Sequence, residues 1–250
     1  MASGFVTLDV GGSKMKTWVA LPDGAGPFPG VVVAQHAGGM DVFIRSVCDR
    51  LAEEGFAAIA PDMYHRQDDM TFEELDAMAQ DDPERWPSMM AKTRNTNDDD
   101  IEQDVRASMA HLGSLAQVRS SPIGITGFCG GGRVSYLMSA RIAELASAVV
   151  FHGGSITIAR DDRPAALDYT AQISCPVAGF FGLDDQNPSP EHVKEITAEM
   201  DKHGKIHEFH SYEGTAHSFL DYTNPRAYHQ SSAADAWEKA VAFFSRTLKG

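Results

Sequence analysis

Ile123-Gly124-Ile125-Thr126-Gly127-Phe128-Cys129-Gly130-Gly131-Gly132-Arg133 decides how the rest of the chain is read. An apolar run stops at a cysteine flanked by glycines, and a helical pattern begins at once. The stretch predicts a strand, a sharp turn and a helix, with Cys129 at the apex. A nucleophile at such a turn sits in a strained backbone conformation that brings other chain very close, and Gly127 and Gly131 stand where a side chain would collide. The helix that follows points its free N–H groups and positive dipole end at the sulfur, which favours a thiolate and any oxyanion beside it. The same text also fits a glycine-rich turn around a buried structural cysteine. A catalytic reading therefore needs an acid and a histidine further along.

The 250 residues suffice for one sizeable core, and residues 1–250 are read as a single domain. Hydrophobic residues make up 43% and charged residues 22%, the balance of a soluble globular protein. Thirty-five acidic against 21 basic residues give a net charge of −14. That excess argues against binding to nucleic acid or to an anionic membrane surface, both of which need a basic face. Three widely spaced cysteines, Cys48, Cys129 and Cys175, do not form a disulfide framework. No signal-like segment opens the chain and no apolar run nears the ~20 residues of a membrane span. The expected location is the cytoplasm, as a monomer or homodimer.

Around the opening stretch, the pattern alternates strand and helix. Two short β-rich runs at 5–10 and 15–21 flank Gly11-Gly12-Ser13 and predict an edge hairpin. Continuous apolar runs at 30–35, 56–60, 147–151 and 176–181 read as strands buried on both faces, and residues 205–212 as the last strand. Helices are expected at 42–54, from 97 to about 116, at 130–141, 190–203 and 232–248. Asn97-Asp98-Asp99-Asp100 is the acidic start of a helix rather than a metal cluster. Residues 62–97 mix methionine, tryptophan and proline with polar residues and predict a lid segment. The order implies an α/β class: a mostly parallel, doubly wound sheet of about eight strands after an antiparallel hairpin.

Parallel sheets carry their sites at the C-terminal ends of strands. Three such ends matter. The first holds Cys129. The second is Phe181-Gly182-Leu183-Asp184-Asp185-Gln186-Asn187-Pro188, and the third is Tyr212-Glu213-Gly214-Thr215-Ala216-His217-Ser218-Phe219. His217 would take the thiol proton, or pair with the thiolate, and later return a proton to a leaving group. An aspartate on its other nitrogen would fix the ring. Asp184 and Asp185 compete for that position. An oxyanion hole needs two backbone donors, expected from Gly130 and from the Ala37-Gly38-Gly39 loop at Ala37. His36, His65 and His152 also follow strands, and their expected roles are pocket lining or structural. His207 and His210, three apart on one strand, face opposite sides and cannot chelate. No dinucleotide or phosphate-loop signature is present, so no cofactor and no metal is expected.

With these elements in place the chain resembles the dienelactone hydrolase (carboxymethylenebutenolidase) family, a cysteine-nucleophile branch of the α/β-hydrolases. The likeness runs through Val31-Val32-Val33-Ala34-Gln35, residues 55–64, Gly127-Phe128-Cys129-Gly130-Gly131-Gly132-Arg133, Phe181-Gly182-Leu183-Asp184-Asp185 and Ala216-His217-Ser218-Phe219. It implies the α/β-hydrolase fold, a Cys129–His217–Asp185 triad with the acid at Asp185, and hydrolysis of a small ester or lactone through a thioester acyl-enzyme. His36, Arg85 and Phe219 are expected to contact the substrate. Two positions depart from the pattern. Members that hydrolyse dienelactone carry a glutamate where this chain has His36, and a carboxylate-binding arginine where it has Leu220-Asp221. Arg66, Arg85 and Arg94 in the lid are the cations that could compensate. The other readings of the residues are a small-ligand-binding member without turnover, and a thioesterase, amidase or peptidase using the same three groups.

Overall fold

The computed structural model describes residues 1–79, 81–160 and 163–249. They fall into two compact units, residues 1–121 and 122–250.

The first unit opens with strands β1 (Ala2–Val10) and β2 (Ser13–Leu21), paired antiparallel across Gly11 and Gly12, both at positive φ. β2 also pairs antiparallel with β4 (Ala57–Pro61), and β4 runs parallel to β3 (Phe28–Ala34). Along β1 exposure alternates with partial burial, as expected where one face meets water. β3 and β4 are buried almost throughout, which their unbroken Val and Ala runs require. Helix α1 (Val42–Glu53) lies between them in sequence. Asp41 caps it by accepting from the Ile44 N–H at 3.0 Å.

The lid expected at 62–97 contains two short helices, α2 (Phe72–Ala77) and α3 (Arg85–Arg94). Thr71 and Glu74 form a reciprocal capping box at the start of α2. Helix α4 (Asp98–Ser114) begins at Asn97, whose side chain accepts from the Asp99 N–H. Asp98, Asp99 and Asp100 occupy its first turn, so the acidic run is a helix start. A buried ion cluster ties the lid to α4. Asp104, fully buried, accepts from Arg66 at 2.8 and 3.0 Å and lies 3.0 Å from His65 Nε2. Nδ1 of the same ring lies 2.9 Å from Ser13 Oγ.

The strand β5 (Val118–Phe128) leads into the second unit, where β5, β6 (Leu145–Phe151), β7 (Val177–Gly182) and β8 (His207–Tyr212) run parallel in that order. Helices α5 (Gly130–Arg141), α6 (Pro190–Lys202) and α7 (Gln230–Leu248) alternate with them, and a 3-10 helix spans Ala166–Gln172. Phe128, Phe151 and Phe180 stack at 4.7 and 5.0 Å on adjacent strands, which packs the sheet just beneath the strand ends. The eight strands, the N-terminal hairpin and the α/β class agree with expectation. Among the described residues no helix is long and apolar enough to cross a membrane.

Candidate active site

Cys129 stands at the junction of β5 and α5 with φ 56° and ψ −119°, a left-handed conformation that a non-glycine residue adopts only under constraint. Its N–H lies 3.1 Å from the Phe151 carbonyl and 3.0 Å from His152 Nδ1. Close approach was expected at Gly127 and Gly131; the structure shows it at a different glycine of the same turn, Gly132. A Cβ there would stand 2.7 Å from Gly153 Cα and 2.8 Å from the Phe151 oxygen, both backbone atoms. Glycine is the residue that lets the first turn of α5 press against the end of β6.

The three cysteines are free, and their surroundings separate them. Cys48 is fully buried, and burial pushes its thiol well above the usual range. Burial likewise raises the Cys175 thiol to about 12. Cys129 is partly exposed. A thiol must be reachable and ionisable to react, and the two buried ones are inert on both counts.

The ends of β7 and β8 bring Asp185 and His217 together. His217 Nδ1–H donates to Asp185 Oδ2 at 2.7 Å, and Asp185 Oδ1 accepts from the Asn187 N–H at 2.8 Å. Asp185 is 3% exposed, so both carboxylate oxygens are held inside the protein. The neighbouring aspartate has another role. The Asp184 N–H donates to the Thr215 carbonyl at 2.9 Å, and its side chain faces solvent. Gly182, just before, lies so close to the Thr215 carbonyl that any Cβ would collide. This backbone contact sets the register that turns Asp185 inward and Asp184 out.

Burial of the His217 ring works against its charged form. Hydrogen bonds to Asp185 and Cys129, with the negative charge of both partners, outweigh burial and raise its pKa to about 10. The ring is therefore an imidazolium at neutral pH, shared between a carboxylate and a sulfur. This arrangement can accept, store and return one proton beside a partly exposed thiol.

In the first unit the loop after β3 turns tightly. The Gly39 N–H donates to the His36 carbonyl at 3.0 Å, with Gly39 at φ 79°. His36 Nε2 lies 2.7 Å from Asp41 Oδ2, and a Cβ on Gly38 would come within 2.8 Å of that nitrogen. Burial raises the Asp41 carboxyl, but His36, the Ile44 N–H and Arg45 together bring it below the usual range, so the pair is ionic on the aspartate side. Ala37 is 5% exposed, and its carbonyl accepts from the Tyr64 hydroxyl at 3.1 Å. That hydroxyl also meets Thr93 Oγ1 on α3 at 3.0 Å.

Two expected substrate contacts are placed otherwise. Arg85 is buried, and its Nη1 donates to the Leu75 and Met78 carbonyls at 2.7 and 2.9 Å. It closes the carbonyl end of α2 and so serves the lid's own fold. Phe219 is fully buried against His152 and Tyr212, with ring centres 5.8 and 5.6 Å away. It supports the histidine loop from behind. Asp221, which stands in the arginine position of the pattern, accepts from the Thr223 N–H and hydroxyl at 2.9 and 2.6 Å. His152 was expected only to line or support the site, yet it touches both the Cys129 backbone and the His217 ring, 4.7 Å away. The sequence signal was its place, directly after a buried strand and before two glycines.

Comparison with known proteins agrees with this architecture. The dienelactone hydrolase family model matches residues 15–248. A protein of Synechocystis sp. named "putative carboxymethylenebutenolidase" is 31% identical over 245 residues, covering 98% of this chain and 96% of the relative. A crystal structure described as a "putative dienelactone hydrolase" from Klebsiella pneumoniae superposes with a TM-score of 0.87 at 27% identity, covering 98% of both chains. The dienelactone hydrolase-like promiscuous phosphotriesterase P91 from metagenomic libraries shares the fold with a TM-score of 0.80 at 23% identity, covering 99% of this chain and all of that one. Matched along nearly its whole length, the chain belongs to the dienelactone hydrolase family, a family of hydrolases with the α/β-hydrolase fold.

Proposed function

We propose that the chain hydrolyses a small, neutral ester or lactone, with Cys129 as nucleophile, His217 as acid and base, and Asp185 as the group that orients and charges His217. The observation that carries this reading is the 2.7 Å hydrogen bond from His217 Nδ1 to the buried Asp185, with Cys129 as the ring's other partner. An imidazolium beside a thiol stabilises the thiolate, the reactive form of cysteine.

The steps follow from that proton's position. The thiolate attacks the acyl carbon, and the carbonyl oxygen gains negative charge. The backbone N–H of Gly130, directly after the nucleophile, is the donor assigned to it. The tetrahedral species collapses, the C–O bond breaks, and His217 gives its proton to the departing alkoxide. The acyl group is then a thioester on Cys129. Neutral His217 takes a proton from water, hydroxide adds to the thioester, and collapse releases the acid and the thiolate. Asp185 keeps the His217 proton on Nδ1 through both halves.

Preference for a neutral substrate rests on where the charges are spent. Leu220-Asp221 stands where the family pattern carries a carboxylate-binding arginine. Within the lid Arg66 is bound to Asp104, Arg85 to two carbonyls and Lys92 to Asp69 at 2.7 Å, while Arg94 at the end of α3 stays exposed to solvent. The test is steady-state hydrolysis of p-nitrophenyl acetate, p-nitrophenyl butyrate and a simple dienelactone by wild type and Cys129→Ala. Turnover of the neutral esters that falls by several powers of ten in the variant supports the reading. Turnover that survives Cys129→Ala refutes it, and a strong preference for the anionic dienelactone refutes the neutral substrate.

A further inference from the structure

We infer that His152 is a positioning residue for the thiolate–imidazolium pair, holding the Cys129 backbone through Nδ1 and backing the His217 ring with its own. The inference rests on the roles proposed above for Cys129 and His217.

His152 follows β6 directly, at φ 37°, and is 2% exposed. A non-glycine residue keeps a left-handed conformation in a buried place only where its surroundings impose it. Here they do so from two sides. The Cys129 N–H, shared with the Phe151 carbonyl at 3.1 Å, points at Nδ1 from 3.0 Å, so that nitrogen serves as an acceptor. The ring proton is thereby confined to Nε2, and the ring is neutral. On its face stands His217, with centroids 4.7 Å apart and planes inclined by 54°. Phe219 meets it edge-on at 5.8 Å and Phe128 lies at 6.1 Å. His152 is thus wedged between an aromatic floor and the imidazolium, where it limits rotation of His217 away from Asp185.

A proton on His152 Nδ1 would break the contact with the Cys129 amide and set two cations side by side. The geometry that positions the nucleophile therefore also keeps His152 neutral while His217 is charged. The two contacts can be separated by substitution. His152→Phe keeps a ring and removes the acceptor. His152→Asn removes the ring and places an amide oxygen near the position of Nδ1.

The experiment measures kcat and KM on p-nitrophenyl butyrate, the pH midpoint of Cys129 alkylation by iodoacetamide, and the thermal midpoint, for wild type and both variants. His152→Phe is expected to lose about tenfold in kcat, the order of one hydrogen bond, with KM and the alkylation midpoint unchanged. His152→Asn is expected to recover kcat to within about threefold of wild type while its alkylation midpoint moves up, because His217 is no longer backed. Wild-type kcat in His152→Phe overturns the inference. So does an equal loss in both variants that tracks the thermal midpoint, since that is packing alone. Cys129→Ala is measured beside them: if it retains turnover, the parent reading falls and this inference with it. Loss in Cys129→Ala with a normal His152→Phe overturns only the role of His152.

Discussion

Replacing Asp185 by asparagine tests how the proton on His217 is held. Asp185 is 3% exposed and accepts the Nδ1 proton at 2.7 Å, a charge-assisted hydrogen bond inside the protein. Bonds of this kind contribute about 1.5–3 kcal/mol, or roughly one to two pH units at 1.36 kcal/mol each. The His217 pKa of about 10 has to come down by that amount, since burial, which opposes the charge, remains. The basic limb of kcat/KM should move from about pH 10 to about pH 8–9. The rate at the optimum should also fall by about 10²–10⁴, because asparagine can donate to Nδ1 and turn the ring to the wrong tautomer. The assay is p-nitrophenyl butyrate hydrolysis between pH 5 and 11, with iodoacetamide alkylation of Cys129 over the same range. Since asparagine is nearly the same size, the fold should persist, which circular dichroism at each pH checks. A basic limb that stays near pH 10 in Asp185→Asn would refute the reasoning, for Asp185 would then contribute nothing to the charge on His217.

Native protein treated briefly with iodoacetamide should carry one label, on Cys129 by peptide mapping, because Cys48 and Cys175 are buried thiols with raised pKa values. Burial raises the Asp62 carboxyl from 3.8 to about 6, so the folded state holds its proton more tightly than the unfolded chain. Its stabilising contribution is complete below pH 3.8 and lost as pH rises through 6, and the displacement corresponds to about 3 kcal/mol. Asp62→Asn, which keeps an acceptor for the Tyr64 N–H, should therefore be more stable than wild type at pH 8 and gain little at pH 4, by urea denaturation. Gly132→Ala should lower the thermal midpoint despite alanine's better helix propensity, because its Cβ meets backbone at 2.7–2.8 Å and overpacking of this kind costs about 1–3 kcal/mol. Asp104→Ala removes the fully buried acceptor of Arg66 and His65 while leaving the Arg66 cation partly exposed, and should cost about 1–3 kcal/mol, with faster proteolysis between residues 62 and 97.

What could be read from the sequence was what the backbone pattern dictates. Unbroken apolar runs become buried strands, and the α/β topology places Cys129, the paired aspartates and His217 after the ends of β5, β7 and β8. The acidic run at 98–100 reads as a helix start because dipole and capping leave little else for it to do. Side-chain destinations were less visible. Spacing alone leaves Asp184 and Asp185 equivalent and only the family resemblance favours Asp185; in the structure the choice follows from the backbone of Thr215 lying against Gly182. Arg85 looks like a cation available to a substrate until the open carbonyls of α2 claim it. Phe219, next but one to His217, reads as a pocket wall, yet it fills the space behind His152. For Asp185 and Phe219 a tertiary contact far along the chain decides the role, and for Arg85 the end of a neighbouring short helix does; spacing carries no record of either.

One feature of the proton balance bears on both halves of the proposed reaction. A pKa near 10 suits His217 as an acid partner of a thiolate and is poor for a base that must take a proton from water near neutrality. The causes of that value resolve the conflict. Two of the four influences that raise it come from Cys129: its hydrogen bond and its negative charge. Acylation removes both at once, since a thioester sulfur is neutral and a poor acceptor. Burial, which lowers the pKa, is then opposed only by Asp185. The pKa must fall when the acyl-enzyme forms, at the stage where a neutral imidazole is needed, and must climb again when the thiolate is released. The nucleophile's own charge state thus switches its partner between acid and base, and Asp185 supplies the constant part of the field. A chain with Ser in place of Cys129 would lack the resting thiolate, so its His217 would lose that charge contribution before any substrate arrived. Because a serine hydroxyl must hand its proton to a neutral His217, whatever turnover remains in Cys129→Ser should rise with pH through a midpoint well below 10 and hold above it.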